Sequence, residues 1–555
     1  MKLNKLLVLA TVTAVLGATV AGCSGNANND QAGGAATEPG KASAQEIRIN
    51  LSAEPPALDS SIATTNPTFT IINAINEGLY RLNGEGKPEP ALAKELPSIS
   101  PDGLVYTITL RDGLKWADGS PLTANDFVWA YQRTLDPATK AKYASMLAWI
   151  KGGTALNTAK PEEVEARKAE LGVKAKDDRT LEITLERPVA FFTDQLSMPI
   201  FFPQKADFVK TQGDKYGADA DKVIGAGPFK LEKWDHEQQL VMVKNENYWD
   251  AANVRLTKVT VNVVKDPNTA LNMFETDQVD LTELKGDQFQ MYQGKPELTL
   301  KKEFVTSYIM FHNNKVPAFA NAKIRKALGM AVDRKALNEV VLGGASIPST
   351  GLVPGTVMDG NKQEFRKVAG DTQFAYDVAA AKALLAEGLQ ELNMTSLPKF
   401  KLTSDDTETA KKTIEFVQAQ WKQNLGVEVD GEPLPFALRV KNMQENNFDA
   451  LIALWGADYN DPMTFLNMWM SDNKSFNYVQ YNSKAYDDLV KAADKEVDLA
   501  KRSQMLVDAE KMLMNDAPVA PLYFRTRPYA KKVNVDGLIL PAMSKEWELK
   551  WVSIK

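Results

Sequence analysis

Catalysis draws on nucleophiles, bases and metal ligands, and this chain offers few of the usual ones. It has a single cysteine, Cys23, and two histidines, His236 and His312, among 555 residues. One thiol cannot form an intramolecular disulfide or a CxxC pair, which removes dithiol redox chemistry. A histidine-based zinc site would need both imidazoles plus carboxylates. His236 sits instead in the polar turn Trp234-Asp235-His236-Glu237, and His312 runs into Asn313-Asn314, so both read as surface side chains. No HExxH, GxSxG or Walker loop occurs. Gly225-Ala226-Gly227 leads into Pro228 rather than a helix and makes no phosphate cradle. Asp219 and Asp221 have calcium-loop spacing but lack the central glycine and the distal glutamate. No nucleophile, base or metal set assembles, so neither a cofactor nor a reaction is expected, and ligand recognition is the chemistry that remains.

The residue best placed for recognition is Asp458. The apolar run Phe448 to Trp455 reads as a buried strand, and it empties into Gly456-Ala457-Asp458-Tyr459-Asn460-Asp461-Pro462, where Asp461 can cap and Pro462 can start the next helix. Open α/β sheets take ligands at the carboxyl ends of their strands. Asp458 stands there with Trp455 beside it as a flat apolar wall. The plainer alternatives are a core tryptophan and an aspartate that only braces its loop.

The elements needed to hold that strand are legible. Lys399 onward reads strand, helix, strand: Phe400 to Thr403, then Ile414, Val417, Trp421 and Leu425 on one helix face, Gly426 as the stop, and Val427 to Val429. This is a βαβ pattern with a right-handed crossover. Amphipathic helices are expected at Lys323 to Leu342 and Asp498 to Met514 to cover the sheet. Earlier, Val105 to Arg111, Leu181 to Glu186 and Lys258 to Val264 have strand patterns. Thr123 and Asp126 resemble a capping box ahead of Phe127, Ala130, Tyr131 and Leu135 at helical spacing. The length exceeds what one core usually serves, so at least two domains are expected.

The start of the chain reads as an export signal. Lys2 and Lys5 precede the apolar stretch Leu6 to Ala21, too short to span a bilayer, and Val20-Ala21-Gly22-Cys23 resembles the lipobox of bacterial lipoproteins. The expectation is a signal peptide over 1–22, a diacylated Cys23, and a Gly/Ala/Asn/Ser/Thr tether through 45 that cannot bury enough apolar surface to order itself. The net charge of −6 offers nothing to nucleic acid.

A series of motifs in order then carries a resemblance. These are Arg111-Asp112-Gly113-Leu114-Lys115-Trp116-Ala117-Asp118-Gly119, Thr123-Ala124-Asn125-Asp126-Phe127, Gly225-Ala226-Gly227-Pro228-Phe229, Asn247-Tyr248-Trp249, Ile324-Arg325-Lys326-Ala327-Leu328, Val332-Asp333-Arg334 and Ala457-Asp458-Tyr459-Asn460. Together, over 46–555, the chain resembles the family 5 extracellular solute-binding proteins, whose best-known members are the oligopeptide-binding proteins of ABC importers. The resemblance implies a two-lobed, periplasmic-binding-protein-like α/β fold with three domains. Domain I is discontinuous (46–77, 200–304, 523–555), domain II spans 78–199 and domain III spans 305–522. Two hinge crossings fall near Glu303 to Ser307 and Leu522 to Arg525.

It also implies a monomer outside the cytoplasm, lipid-anchored in the Gram-positive manner, that binds oligopeptides and docks on importer permease and ATPase subunits. Asp458 would accept the peptide ammonium group. Leu454 and Gly456 would offer backbone groups, Trp455, Tyr143 and Phe436 would line pockets, and Thr64, Thr65 and Asn66 would approach from domain I. Positions that are cationic in the enteric oligopeptide binders hold Gly329, Ala410, Met443 and Ile452 here. The ligand carboxylate then lies in water or meets another cation, Arg439 or Arg525. Relatives that bind nickel chelates, haem or oligosaccharides, or that receive peptide signals, set the alternatives.

Overall fold

The computed structural model describes residues 44–84 and 86–555. The expected signal peptide, Cys23 and all but the last two residues of the expected tether lie outside the described residues. Gln45 corrects the tether's end: its side chain donates to Ile554 O (2.8 Å) and accepts from Ile554 N (3.1 Å), so the ordered body already includes it.

One eleven-stranded sheet organises the molecule. Its middle is two long antiparallel strands, Leu298–Phe311 and Val519–Lys531, paired from Leu298↔Ala530 to Met310↔Val519 with register shifts between Lys302 and Thr306 and between Ser307 and Tyr308. On one flank follow Leu281–Glu283, Glu46–Leu51, Lys258–Val263, Gln239–Lys244 and Phe229–Asp235. On the other flank follow Ala450–Gly456, Lys401–Asp405 and Asp430–Leu434. The far half of Leu298–Phe311 is buried on both faces. Tyr308 and Met310 enter one core while Ile309 and Phe311 enter another, as the period of two in a strand requires.

A separate four-stranded sheet holds Val105–Thr109 against Thr180–Thr184 in antiparallel register. The helix Ala124–Leu135 packs beside it behind a capping box formed by Thr123 and Asp126, and it buries Phe127, Ala130, Tyr131 and Leu135.

The βαβ unit forms with parallel strands Lys401–Asp405 and Asp430–Leu434 around the helix Glu408–Leu425. Its second strand starts later than Val427. Gly426 turns left-handed (φ 70°), Gly426 N donates to Lys422 O and Val427 N to Trp421 O, so these residues close the helix before pairing begins. The helix expected over Lys323 to Leu342 is two, Ala322–Met330 and Arg334–Val340. Asp333 breaks it by accepting from Lys335 N and Ala336 N, both at 3.0 Å. Asp498 likewise caps Leu499–Asp516.

Residues expected in domains II and III touch across a shared boundary. Phe191 stacks on Tyr459 with centroids 4.0 Å apart, and Trp149 meets Tyr459 edge-on. Lys362 pairs with Asp194 at 2.6 Å, and Arg187 with Asp494 at 2.9 Å. No helix among the described residues is long and apolar enough to cross a membrane.

Candidate functional site

The strand Ala450–Gly456 carries the site because its apolar run must be buried and its far end need not be. One edge pairs with the long strand beside it from Phe311↔Ala450 to Val305↔Gly456. The other edge pairs in parallel only at Leu402↔Ala450 and Thr403↔Leu451. From Ala453 onward that second edge has no strand partner among the described residues, and Leu454 is 38% exposed. An open edge of this kind accepts an added extended chain through main-chain hydrogen bonds.

The loop beyond Gly456 is pinned on every side. Ala457 N donates to Phe304 O (2.8 Å) and Asp458 N to Thr464 Oγ1 (3.1 Å). Tyr459 stacks on Phe191, and Asn460 donates to Gly86 O and accepts from Met358 N. Buried Asp461 takes both terminal nitrogens of Arg502 (2.7 and 2.9 Å) and caps Met463 N. Amid these contacts the Asp458 carboxylate has no ion pair and no hydrogen bond among the described residues. Burial alone pushes its pKa up to about 6. Its charge is felt by Tyr143, whose phenol is pushed to about 12 by burial first and Asp458 second.

Asp458 opens into a cavity of about 270 Å³. Thr64, Asn66, Tyr143, Leu454 and Gly456 line it too, so six of the nine residues expected at the ligand converge there. Thr65 does not. It caps the helix Asn66–Ile75, its hydroxyl accepting from Thr68 N, and so sets the path of its neighbours. Trp455 does not line the cavity either: its indole nitrogen donates to Thr464 O (3.0 Å) and its ring packs on Phe476. Phe436 is 65% exposed on the helix Phe436–Gln444, under the Arg439 guanidinium and away from the cavity.

None of Gly329, Ala410, Met443 and Ile452 lines the cavity. At Gly329 a Cβ would lie 2.6 Å from the Phe374 ring, so no long side chain fits. Arg439 is engaged by Asp405 (2.9 and 3.4 Å). Arg525 does line the cavity.

Sequence reasoning did not foresee Lys301, Glu303 or the segment Ala542 to Ser544 as lining. Charged Lys301 and Glu303 within an otherwise burying strand were a usable signal, because buried charge needs a reason. The segment at 542–544 carried none, although Ser544 adopts a left-handed conformation (φ 67°), costly for a non-glycine.

His236 bridges Glu54 (2.8 Å) and Asp219 (3.0 Å) at the surface as expected, whereas His312 is buried, packing edge-on against Phe448 and accepting from Lys315 N (3.1 Å). Among the described residues no group of three or more metal-ligating side chains forms.

Residues 87–477 match the family model described as bacterial extracellular solute-binding proteins, family 5 Middle. The dipeptide-binding protein DppE of Bacillus subtilis (strain 168) is 33% identical over 525 residues, covering 94% of this chain and 95% of that protein. The oligopeptide-binding protein OppA of the same organism is 31% identical over 508 residues, covering 89% and 90%. Among solved structures, Listeria monocytogenes OppA bound to peptide superposes with a TM-score of 0.74 at 35% identity, covering 92% of this chain and 99% of that one. These likenesses carry the fold class, a two-lobed α/β binding protein whose lobes are joined by two crossings. The chain belongs to family 5 of the bacterial extracellular solute-binding proteins.

Proposed function

We propose that this protein captures oligopeptides between its lobes outside the cytoplasm and delivers them to an ABC importer, as a binding protein and not as an enzyme. The observation that carries the reading is Asp458, a carboxylate raised to about pKa 6 by burial, without a cation, on the wall of a cavity beside an open strand edge. A peptide supplies both missing partners, an ammonium group for the charge and backbone amides for the edge. Opposite charges ~4 Å apart at an effective dielectric of ~20 attract by ~4 kcal/mol before desolvation. The peptide-binding relatives support the ligand class.

In this reading domain I comprises 46–77, 200–304 and 523–555, domain II 78–199 and domain III 305–522. Closure about the crossings near Glu303 to Ser307 and Leu522 to Arg525 brings Tyr459 onto Phe191, and the importer reads the closed state. Diacylated Cys23 and the tether hold the body at the membrane. Cys23→Ser is expected to shift the protein from the membrane fraction to the medium. The decisive test is native mass spectrometry of the purified protein with release and sequencing of its cargo. Peptides support the reading; an empty protein that takes up no added peptide, or one carrying a metal chelate or sugar, overturns it.

A further inference from the structure

Two cations line the cavity that holds Asp458, and they differ in what they have left to donate. Lys301 is fully engaged: its Nζ meets Lys545 O at 2.9 Å, Glu546 Oε2 at 3.3 Å and Glu303 Oε1 at 3.5 Å. Arg525 uses only Nε, which donates to Glu303 Oε2 at 2.6 Å. Its Nη1 and Nη2 have no partner among the described residues, and its side chain is 36% exposed at the cavity wall. Glu303 is itself fixed by Lys301 and by Arg527 Nη1 at 3.4 Å, so the guanidinium is oriented from behind with its terminal nitrogens free. A planar fork held this way suits a carboxylate in bidentate geometry.

The register sets the spacing. Val305 pairs with Gly456 on one side, and Lys302 with Thr526 on the other, so Arg525 and Gly456 flank the same stretch of Leu298–Phe311. Two inter-strand steps of ~4.8 Å set their backbones about 10 Å apart across the sheet, on the walls of one cavity. Asp458 and Arg525 offer this cavity one unpaired carboxylate and one guanidinium with free terminal nitrogens, opposite charges that suit the two ends of a zwitterion.

We infer that Arg525 anchors the carboxylate of the ligand, oriented by Glu303, and that the ligands are peptides with a free C-terminus, their ammonium on Asp458. This rests on the peptide reading above. It also places the anchor on the strand crossing between the lobes, so a ligand satisfying both ends ties Asp458 to the crossing.

The test is calorimetric titration of the full chain with trialanine and with its C-terminal amide, for wild type, Arg525→Gln and Arg525→Lys. Wild type is expected to prefer the free acid by roughly 10- to 100-fold, the span of one charged hydrogen-bonded pair. Arg525→Gln is expected to bind acid and amide equally, and Arg525→Lys to regain part of the preference while losing the bidentate geometry. Equal binding of acid and amide by wild type, or a preference surviving in Arg525→Gln, overturns the inference. If Arg525→Gln melts without cooperativity, the wild-type comparison and Arg525→Lys decide. Where only longer peptides bind, the same comparison of free acid with amide is made on them, with the same two outcomes. Binding of no peptide at all fails the peptide reading instead.

Discussion

Burial without a counter-charge makes Asp458 costly to ionise in the empty protein, and this links ligand affinity to stability with opposite signs. Because its pKa is raised to about 6, the fold disfavours the charged form: the penalty is absent in acid, grows as pH rises above the ordinary carboxylate value, and is complete above about 6. Asp458→Asn is therefore expected to stabilise the ligand-free protein at pH 7, by on the order of 1 to 3 kcal/mol, while weakening peptide binding. Thermal melting with and without peptide checks both signs. In wild type, peptide affinity is expected to fall as pH drops through about 6, with proton release on binding near that pH, read by titration in buffers of different ionisation enthalpy. Asp458 was legible because an apolar run that empties into a polar loop marks the carboxyl end of a strand, whereas Leu454 and Gly456 were implied only by the family resemblance. Trp455 was not legible: its neighbours predict a wall, and only the tertiary path of Thr464 reveals where its indole nitrogen goes.

At the scale of elements, local capping chemistry decided what periodicity could not. The apolar stripe from Lys323 to Leu342 runs on through Asp333, yet the chain stops and restarts there because a side-chain carboxylate satisfies two free helix amides. The same stripe explains a departure from the enteric oligopeptide binders. Gly329 faces the Phe374 ring and the Ala520 methyl, where an added Cβ would stand 2.6 and 2.9 Å away. Restoring a cation by Gly329→Lys is expected to destabilise the protein by about 1 to 3 kcal/mol and to leave the affinity for free-acid peptides unimproved. Denaturant unfolding and calorimetry measure the two effects. The pairing of Leu298–Phe311 with Val519–Lys531 lies beyond such reasoning, since strands about two hundred residues apart share no local signal.

For the whole molecule, the boundary between the expected domains II and III combines one continuous apolar cluster with ion pairs. Asp194 is almost fully buried and answered by Lys362 from the other side, and burial pushes its carboxyl pKa up despite that partner. If the proposed opening returns the carboxylate to water, the pair biases closure more than folding. Lys362→Met is expected to speed peptide release roughly tenfold, and adding Asp194→Asn to restore most of the loss, as measured by stopped-flow displacement. That more than one domain exists followed from length, and that they form two lobes followed from the family resemblance. Which residues meet between them did not, because such contacts depend on the angle of closure.

The aromatic triad at that boundary has an optical consequence. Trp149 lies edge-on to both Tyr459 and Phe191, with centroids 5.9 and 5.3 Å away, and in the proposed closure Tyr459 alone leaves the other two when the lobes part. The molecule thus carries its own unlabelled emission probe: hydration of the Trp149 indole should redden its fluorescence on opening, against the background of nine other tryptophans that Trp149→Phe would isolate.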